Sequence, residues 1–270
     1  MSTHTLAAWL RCPICSSPLS AKDDFVLGCN EDHRFDANKR GYISLLPTRS
    51  RLVGDDEAML AHRAAVLDSG AYAPITAAIG RVCPAEAMRV LDAGCGTGHY
   101  LRAVLADRPE ARGLAMDLSP AAVRLAVRGE PRIDGLVADT WNALPIRDAV
   151  CEVVLNVFAP RNVVDFHRLL RVAGVLLVVV PQPDHLNELR SGSALLDVPA
   201  DKAETLTEQL RPSFTLEHRE PVRYELPLTG GLAHHLVAMG PAARHAGSGR
   251  RQATPESATV AVDVLCFVRG

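Results

Sequence analysis

Four residues near the start of the chain have the types and spacing of a metal site: Cys12 and Cys15, then Cys29 and His33. A Cys-x-x-Cys pair grips an ion from one side of a turn. A second pair, one short loop away, closes a tetrahedron around it. Thiolates and imidazole suit Zn²⁺, and a closed four-ligand set is structural rather than catalytic. Pro13 should pin the first turn and Gly28 should bend the chain before Cys29, with a short strand over 25–27 between the pairs. So short a piece has no core of its own, so metal binding supplies its folding energy. Asp32 or Asp36 is an alternative fourth ligand. Cys83, Cys95, Cys151 and Cys266 lack ligand spacing and read as core or loop residues.

A second stretch could hold a ligand. LDAGCGTGHYL (91–101) places Gly94, Gly96 and Gly98 at alternate positions after Asp92, with Thr97 between the last two. A dinucleotide fingerprint needs glycine or alanine three residues beyond its second glycine. Here that position is His99 or Leu101, so a dehydrogenase is disfavoured. Alternating glycines let the backbone approach a compact ligand closely. Asp117 is predicted to end the next strand, where a carboxylate can hold both hydroxyls of a ribose. Asp139 is predicted to end the strand after that and could accept from a base amino group, with Leu118 or Thr140 beside the ring. The structural alternatives are an N-terminal cap at Asp92 and a turn residue at Asp139. A later strand ends in NVFAP (156–160). Asn156 there could hydrogen-bond a base edge and Phe158 could stack on a flat ring or serve as a core aromatic.

The elements needed to position these residues are legible. From residue 88 onward, strands predicted at 89–94, 111–117, 134–139, 151–158 and 174–181 alternate with helices at 99–107, 119–129 and 163–172. Such alternation predicts an α/β fold, a mainly parallel sheet covered on both faces. Upstream, 41–56 reads as a linker. Residues 55–72 read as a helix capped by Asp55 and stopped at Gly70, and 74–83 as a second helix. Beyond 196 come a helix (200–210) and two late strands, so the sheet should end antiparallel. The chain divides into 1–46 (metal-binding), 47–84 (helical linker) and 85–270 (the α/β domain).

Composition narrows the class. The 270 residues carry a net charge of −2, which gives no global nucleic-acid signature. The charge is uneven: residues 34–53 hold Arg34, Lys39, Arg40, Arg49 and Arg51 against Asp36 alone. A second basic stretch, ARHAGSGRRQ, lies at 243–252 within a Gly/Arg-rich loop. No run approaches a membrane span and no signal peptide is read, so a cytoplasmic protein without disulfides is expected.

The glycine loop with Asp117 and Asp139 resembles the first motifs of class I S-adenosylmethionine-dependent methyltransferases. With the zinc spacing, RGYISLLP, GDDEAMLAHR, VLDSGAYAP and VFAP, the chain resembles, over nearly its whole length, the 23S rRNA guanine-N1-methyltransferases. The resemblance implies a Rossmann-like α/β class I fold behind a small zinc-binding domain, with S-adenosyl-L-methionine and Zn²⁺ as cofactors. It implies zinc on Cys12, Cys15, Cys29 and His33. It also implies cofactor contacts at Tyr72, Gly96, Thr97 and His185, of which Tyr72 and His185 carry no signal of their own. The substrate it implies is one of two guanines in a hairpin loop of 23S rRNA, and the protein a homodimer. The arginine-rich composition leans toward the subgroup linked to tylosin-type macrolide resistance. The rival readings are a small-molecule methyltransferase, against which the basic metal-binding piece argues, and a non-catalytic RNA-binding protein, against which the intact glycine loop argues.

Overall fold

The computed structural model describes residues 3–46, 54–190, 198–240 and 255–270. Helix α1 (Thr3–Ala7) precedes four short strands, β1 (Ser20–Ala21), β2 (Val26–Gly28), β3 (Arg34–Asn38) and β4 (Tyr42–Ser44). Helices α2 (Glu57–Asp68) and α3 (Ala73–Val82) follow. The alternating series is β5 (Arg89–Ala93), α4 (His99–Ala106), β6 (Arg112–Asp117), α5 (Pro120–Val127), β7 (Ile133–Val137), β8 (Cys151–Val157), α6 (Val163–Leu169) and β9 (Leu170–Pro181). The chain ends with α7 (Asn187–Arg190), α8 (Lys202–Leu210), β10 (Phe214–Pro227), α9 (Leu232–Ala238) and β11 (Ser257–Arg269).

Helices begin where a side chain satisfies the first free amides. Ser119 Oγ accepts from the Ala122 amide at 3.3 Å, with Pro120 preset for the first turn. Asn162 caps α6 in the same way. The cap of α2 is Asp56, which accepts from the Met59 amide at 2.9 Å, and not Asp55 as expected. The Asp55 carboxylate instead pairs with Arg63 at 2.5 Å. Helix α6 stops at Leu169, short of the predicted 172, because Leu170 turns extended and pairs with Cys151.

Strand order is β1-β2-β3-β4-β7-β6-β5-β8-β9-β11-β10. The core from β7 to β9 is parallel, and β11 and β10 close that edge antiparallel, as the sequence predicted. The N-terminal strands are not a separate layer. Strand β4 runs parallel to β7, Tyr42 opposite Gly135 and Ser44 opposite Val137, so the main sheet continues into the metal-binding region.

That region also covers one face of the sheet. The β7–β8 connection contains no helix. In its place Leu6, Trp9, Leu10, Leu19 and Leu27 share a core with Leu114, Met116, Leu136, Leu144 and Ile146. Polar contacts fix the seam. The buried Asp134 carboxylate accepts from Thr5 Oγ1 at 2.7 Å and Trp9 Nε1 at 3.1 Å. Arg147 donates to the Leu10 and Leu19 carbonyls. The Arg89 guanidinium lies 4.1 Å from the centre of the indole of Trp9. Helices α2 to α5 fill the opposite face.

Candidate active site

The four predicted metal ligands converge. Cys12 Sγ and Cys29 Sγ lie 3.5 and 3.4 Å from His33 Nδ1, and Cys15 Sγ lies 3.6 Å from Cys29 Sγ. A tetrahedral zinc with bonds of about 2.3 Å to sulfur and 2.0 Å to nitrogen has edges of roughly 3.6 to 3.8 Å. The four ligand atoms all lie within 4.8 Å of one another, so the set fits the ion. The turns are built for it. Ser16 and Asp32, next to a ligand in each pair, sit at positive φ, and the Ile14 amide points at Cys12 Sγ from 3.4 Å. Ser17 hydrogen bonds pull the Cys15 thiol down to about 6, toward the thiolate a metal needs. Asp32 and Asp36 are exposed and stand outside the cluster. Gly28 is an ordinary strand residue and not a bend; a Cβ there would meet the Lys22 stem at 2.8 Å.

The glycine loop joins β5 to α4 at the C-terminal end of the parallel strands. Gly94, Gly96 and Gly98 all have positive φ, which ordinary residues resist. The loop is braced by its neighbours. Gly94 and Cys95 amides donate to the Met116 carbonyl, and the Gly96 amide to Asp117 Oδ2 at 3.0 Å. Asp117 Oδ1 accepts from the Ser119 amide at 2.9 Å. Asp117 thus ties the glycine loop to the end of β6, each of its oxygens accepting one backbone amide. Arg102, which the sequence reading passed over, clamps the Thr97, Leu125 and Ala126 carbonyls from beneath.

Leu118 and Thr140 are half-buried at the ends of the neighbouring strands β6 and β7. Asp139 is a buried turn residue. It accepts from the Trp141 amide at 3.0 Å and Asn142 Nδ2 at 2.5 Å, so its carboxylate braces its own loop.

Asn156 does not face a substrate. It is fully buried, its amide donates to the Ala93 and Pro160 carbonyls at 3.2 and 2.8 Å, and its oxygen accepts from Arg161. It ties the β5 and β8 ends together. A predicted contact with a base edge is therefore corrected to a bracing role. Phe158 beside it is 42% exposed and sits at φ +52°, a strained backbone for a bulky residue. Its ring stacks on His185 with centroids 5.9 Å apart, and Tyr72 lies 6.2 Å from both. The two residues that only resemblance had suggested thus join Phe158 in one aromatic cluster. His185 Nδ1 accepts from the Ala261 amide at 3.2 Å, which leaves the ring proton on Nε2. Burial pushes the imidazole down to about 4, so it stays neutral and acts as a donor.

The electrostatics favour a cationic ligand. Asp92 is buried with Oδ2 unpartnered, and burial together with the nearby Asp117 raises it to about 7. Asp117 is also pushed up, chiefly by burial. An orphan carboxylate beside a second one, below a glycine cradle, fits a cofactor carrying sulfonium and ammonium charges. A raised folded-state value means that Asp92 favours the fold when protonated. That contribution is complete below the ordinary carboxylate value near 4 and is lost as pH climbs through about 7. Without ligand, Asp92→Asn should therefore raise the melting temperature over wild type by little near pH 4.5 and by more at pH 8. A gain independent of pH would refute the assignment.

The basic strip behind the metal ligands lies away from the glycine loop. Lys39 and Arg40 are exposed just before β4, beside the N-terminal end of β7, whereas the glycine loop lies at the opposite, C-terminal ends. Pairing parallel to β7 puts them there. Arg49, Arg51 and nearly all of the Gly/Arg-rich loop at 243–257 lie outside the described residues. Among those described, no helix is long and apolar enough to cross a membrane.

Residues 10–51 match the family described as RlmA, N-terminal, and residues 90–177 match a methyltransferase domain. A 23S rRNA (guanine(748)-N(1))-methyltransferase of Streptomyces fradiae is 45% identical, over 88% of this chain and 86% of its own. A Micromonospora griseorubida protein, named provisionally as a 23S rRNA (guanine-N(1)-)-methyltransferase, is 40% identical over 96% of this chain and 95% of its own. Among solved structures, the YcgJ protein of Bacillus subtilis superposes with a TM-score of 0.53 at 16% identity, covering 73% of this chain and 98% of that one, which shows the shared fold.

Proposed function

Because this chain belongs to the 23S rRNA guanine-N1-methyltransferase family, we propose that it methylates N1 of a guanine in a hairpin loop of 23S rRNA, the position-748 type. The observation that carries the reading is the 45% identity to the Streptomyces fradiae enzyme across nearly the full length of both chains. S-adenosyl-L-methionine supplies a methyl group already activated on sulfonium. The protein's share of the work is therefore mostly positioning. Gly94, Gly96, Thr97 and Gly98 shape the seat, Asp92 balances its charge, Asp117 takes the ribose, and Leu118 and Thr140 flank the adenine. Zn²⁺ on Cys12, Cys15, Cys29 and His33 has a structural task.

The acceptor guanine enters beside Phe158, the exposed member of the aromatic cluster. N1 lies on the Watson–Crick edge, so the base must be unpaired, and a hairpin loop presents it so at small cost. N1 must also lose its proton around the time of attack. His185 does not take it, since its Nδ1 is engaged by Ala261 and its Nε2 carries hydrogen. As a neutral donor it can instead stabilise negative charge on an oxygen of the base.

RNA docking is supported by Trp141. Its indole is 69% exposed on the β7–β8 connection, on the same rim as the site, and Asn162 fixes that loop through the Thr140 carbonyl at 2.9 Å. Base stacking on an aromatic ring contributes about 1–3 kcal/mol. Trp141→Ala should raise KM for RNA by about tenfold while the affinity for S-adenosylhomocysteine stays unchanged. Unaltered RNA kinetics would remove Trp141 from the interface.

The decisive experiment is transfer of labelled methyl to unmodified 23S rRNA, followed by mapping of the modified base. Methylation at guanine N1 in the hairpin supports the reading. Transfer only to small phenols or amines would favour a small-molecule enzyme, and no transfer at all a binding protein. The reading extends to a homodimer, which sedimentation of the purified protein checks, and to a cytoplasmic location, which fractionation of the cells checks.

A further inference from the structure

Helix α2 delivers Arg63 over the glycine loop. A Cβ built on Gly96 would lie 3.1 Å from Arg63 Nη1, so the guanidinium occupies the space directly above that residue. Two contacts hold it there: Nη1 pairs with Asp55 Oδ2 at 2.5 Å and Nη2 donates to the Met239 carbonyl at 3.2 Å. A guanidinium has five N–H donors, so these contacts leave others to spare. The side chain is 28% exposed, open enough to meet a ligand.

Most of the loop's amides are already committed to the protein. The amides of Gly94 and Cys95 are spent on the Met116 carbonyl, that of Gly96 on Asp117, and that of Gly98 on the Cys95 carbonyl. Asp92 and Asp117 beside it repel negative charge. Arg102, the cation below the loop, is committed to backbone carbonyls. Yet the amino-acid end of S-adenosylmethionine carries a carboxylate along with its ammonium. It needs a donor that these amides do not provide.

Resting on the cofactor reading above, we infer that Arg63 is the seat of the cofactor's α-carboxylate. The planar fork of arginine matches a carboxylate in two parallel hydrogen bonds, and Asp55 keeps the fork aimed over Gly96. The pairing also explains why Arg63 stands in a cradle lined by acids.

The test pairs a protein change with a ligand change. Zinc-loaded full-length protein and its Arg63→Ala variant are titrated calorimetrically with S-adenosylhomocysteine and with the same molecule lacking its carboxylate. Arg63→Ala should weaken S-adenosylhomocysteine by about 10- to 100-fold, the range for a hydrogen bond to a charged group. It should leave the decarboxylated ligand's affinity unchanged, which also shows that the variant is folded. Equal weakening of both ligands, or of neither, overturns the assignment. Should Arg63→Ala fail to fold, Arg63→Met keeps the stem against Gly96 and is read by the same criterion. If wild type binds neither ligand, the cofactor reading itself falls, a result distinct from an unselective Arg63.

Discussion

Cys29→Ser should lower the melting temperature of the whole chain, not merely release a small appendage. The substitution removes one of four converging ligands, and zinc content should fall from about one per chain to near zero. In a free zinc knuckle the damage would stay local. Here β4 is hydrogen-bonded to β7, and Leu6, Trp9, Leu10 and Leu27 roof the sheet where no crossover helix does. If the knuckle unravels, Leu114, Met116 and Leu136 lose that roof. Zinc binding is worth about 10–16 kcal/mol in isolated zinc-finger peptides. Even a loss of about 3 kcal/mol corresponds to roughly 5 °C for a chain of this size. Calorimetry should show one transition shifted downward, with rRNA methylation lost alongside. A low transition for the knuckle beside an unshifted main transition would show that the two regions are thermally independent.

The reason this coupling escapes a sequence reading is physical. Ligand spacing is local, so Cys12, Cys15, Cys29 and His33 can be recognised from the order of residues alone. The β–α alternation is local too, and so are the glycines that need positive φ. What the chain does not display is which partner a short segment finds. Tyr42 to Ser44 gives no sign that it will run beside Gly135 to Val137, some 90 residues away. That pairing carries Lys39 and Arg40 to the end of the sheet opposite the glycine loop.

The site follows the same rule. Phe158 was recognisable from its place at a strand end, and its exposure and positive φ agree with a functional position. Asn156, one turn of strand earlier, looked equally suited. Its side chain, however, points inward to Ala93 and Pro160; two residues apart on a strand the pair would share a face, but Phe158 lies just past the end of β8 at φ +52°, which breaks the alternation. Tyr72 and His185 come from a helix end and a post-strand turn with no motif between them. The packing of α3 against the sheet and the bond from Ala261 of β11 to His185 bring both rings to Phe158. Arg63 was hidden for a further reason. A helical arginine is usually a solvated charge, and the cue that sets it apart is Asp55, left uncommitted by the cap at Asp56.

Gly94→Ala should cost the most activity for one added methyl group. The residue sits at φ +88°, where a side chain costs about 1–2 kcal/mol, and an added Cβ would fall 2.4 Å from the Ala159 Cβ. That distance is far inside contact, so one loop must move. Ala159 follows Phe158, and Asn156 ties the two loops through Ala93 and Pro160. The methyl group would therefore push the cofactor loop and the acceptor aromatic apart together. A displacement near 1 Å at reacting groups can cost about 100-fold in rate, and both reactants are affected here. The expected result is a fall of at least about 100-fold in kcat/KM with a stability loss of about 2–4 kcal/mol. A second substitution separates the two causes. Ala159→Gly in the Gly94→Ala background removes the collision but leaves the φ strain. It should restore much of the transfer rate and only part of the stability. If the double variant is as inactive as the single one, the collision is not the cause, and the left-handed backbone at Gly94 alone is what the reaction requires.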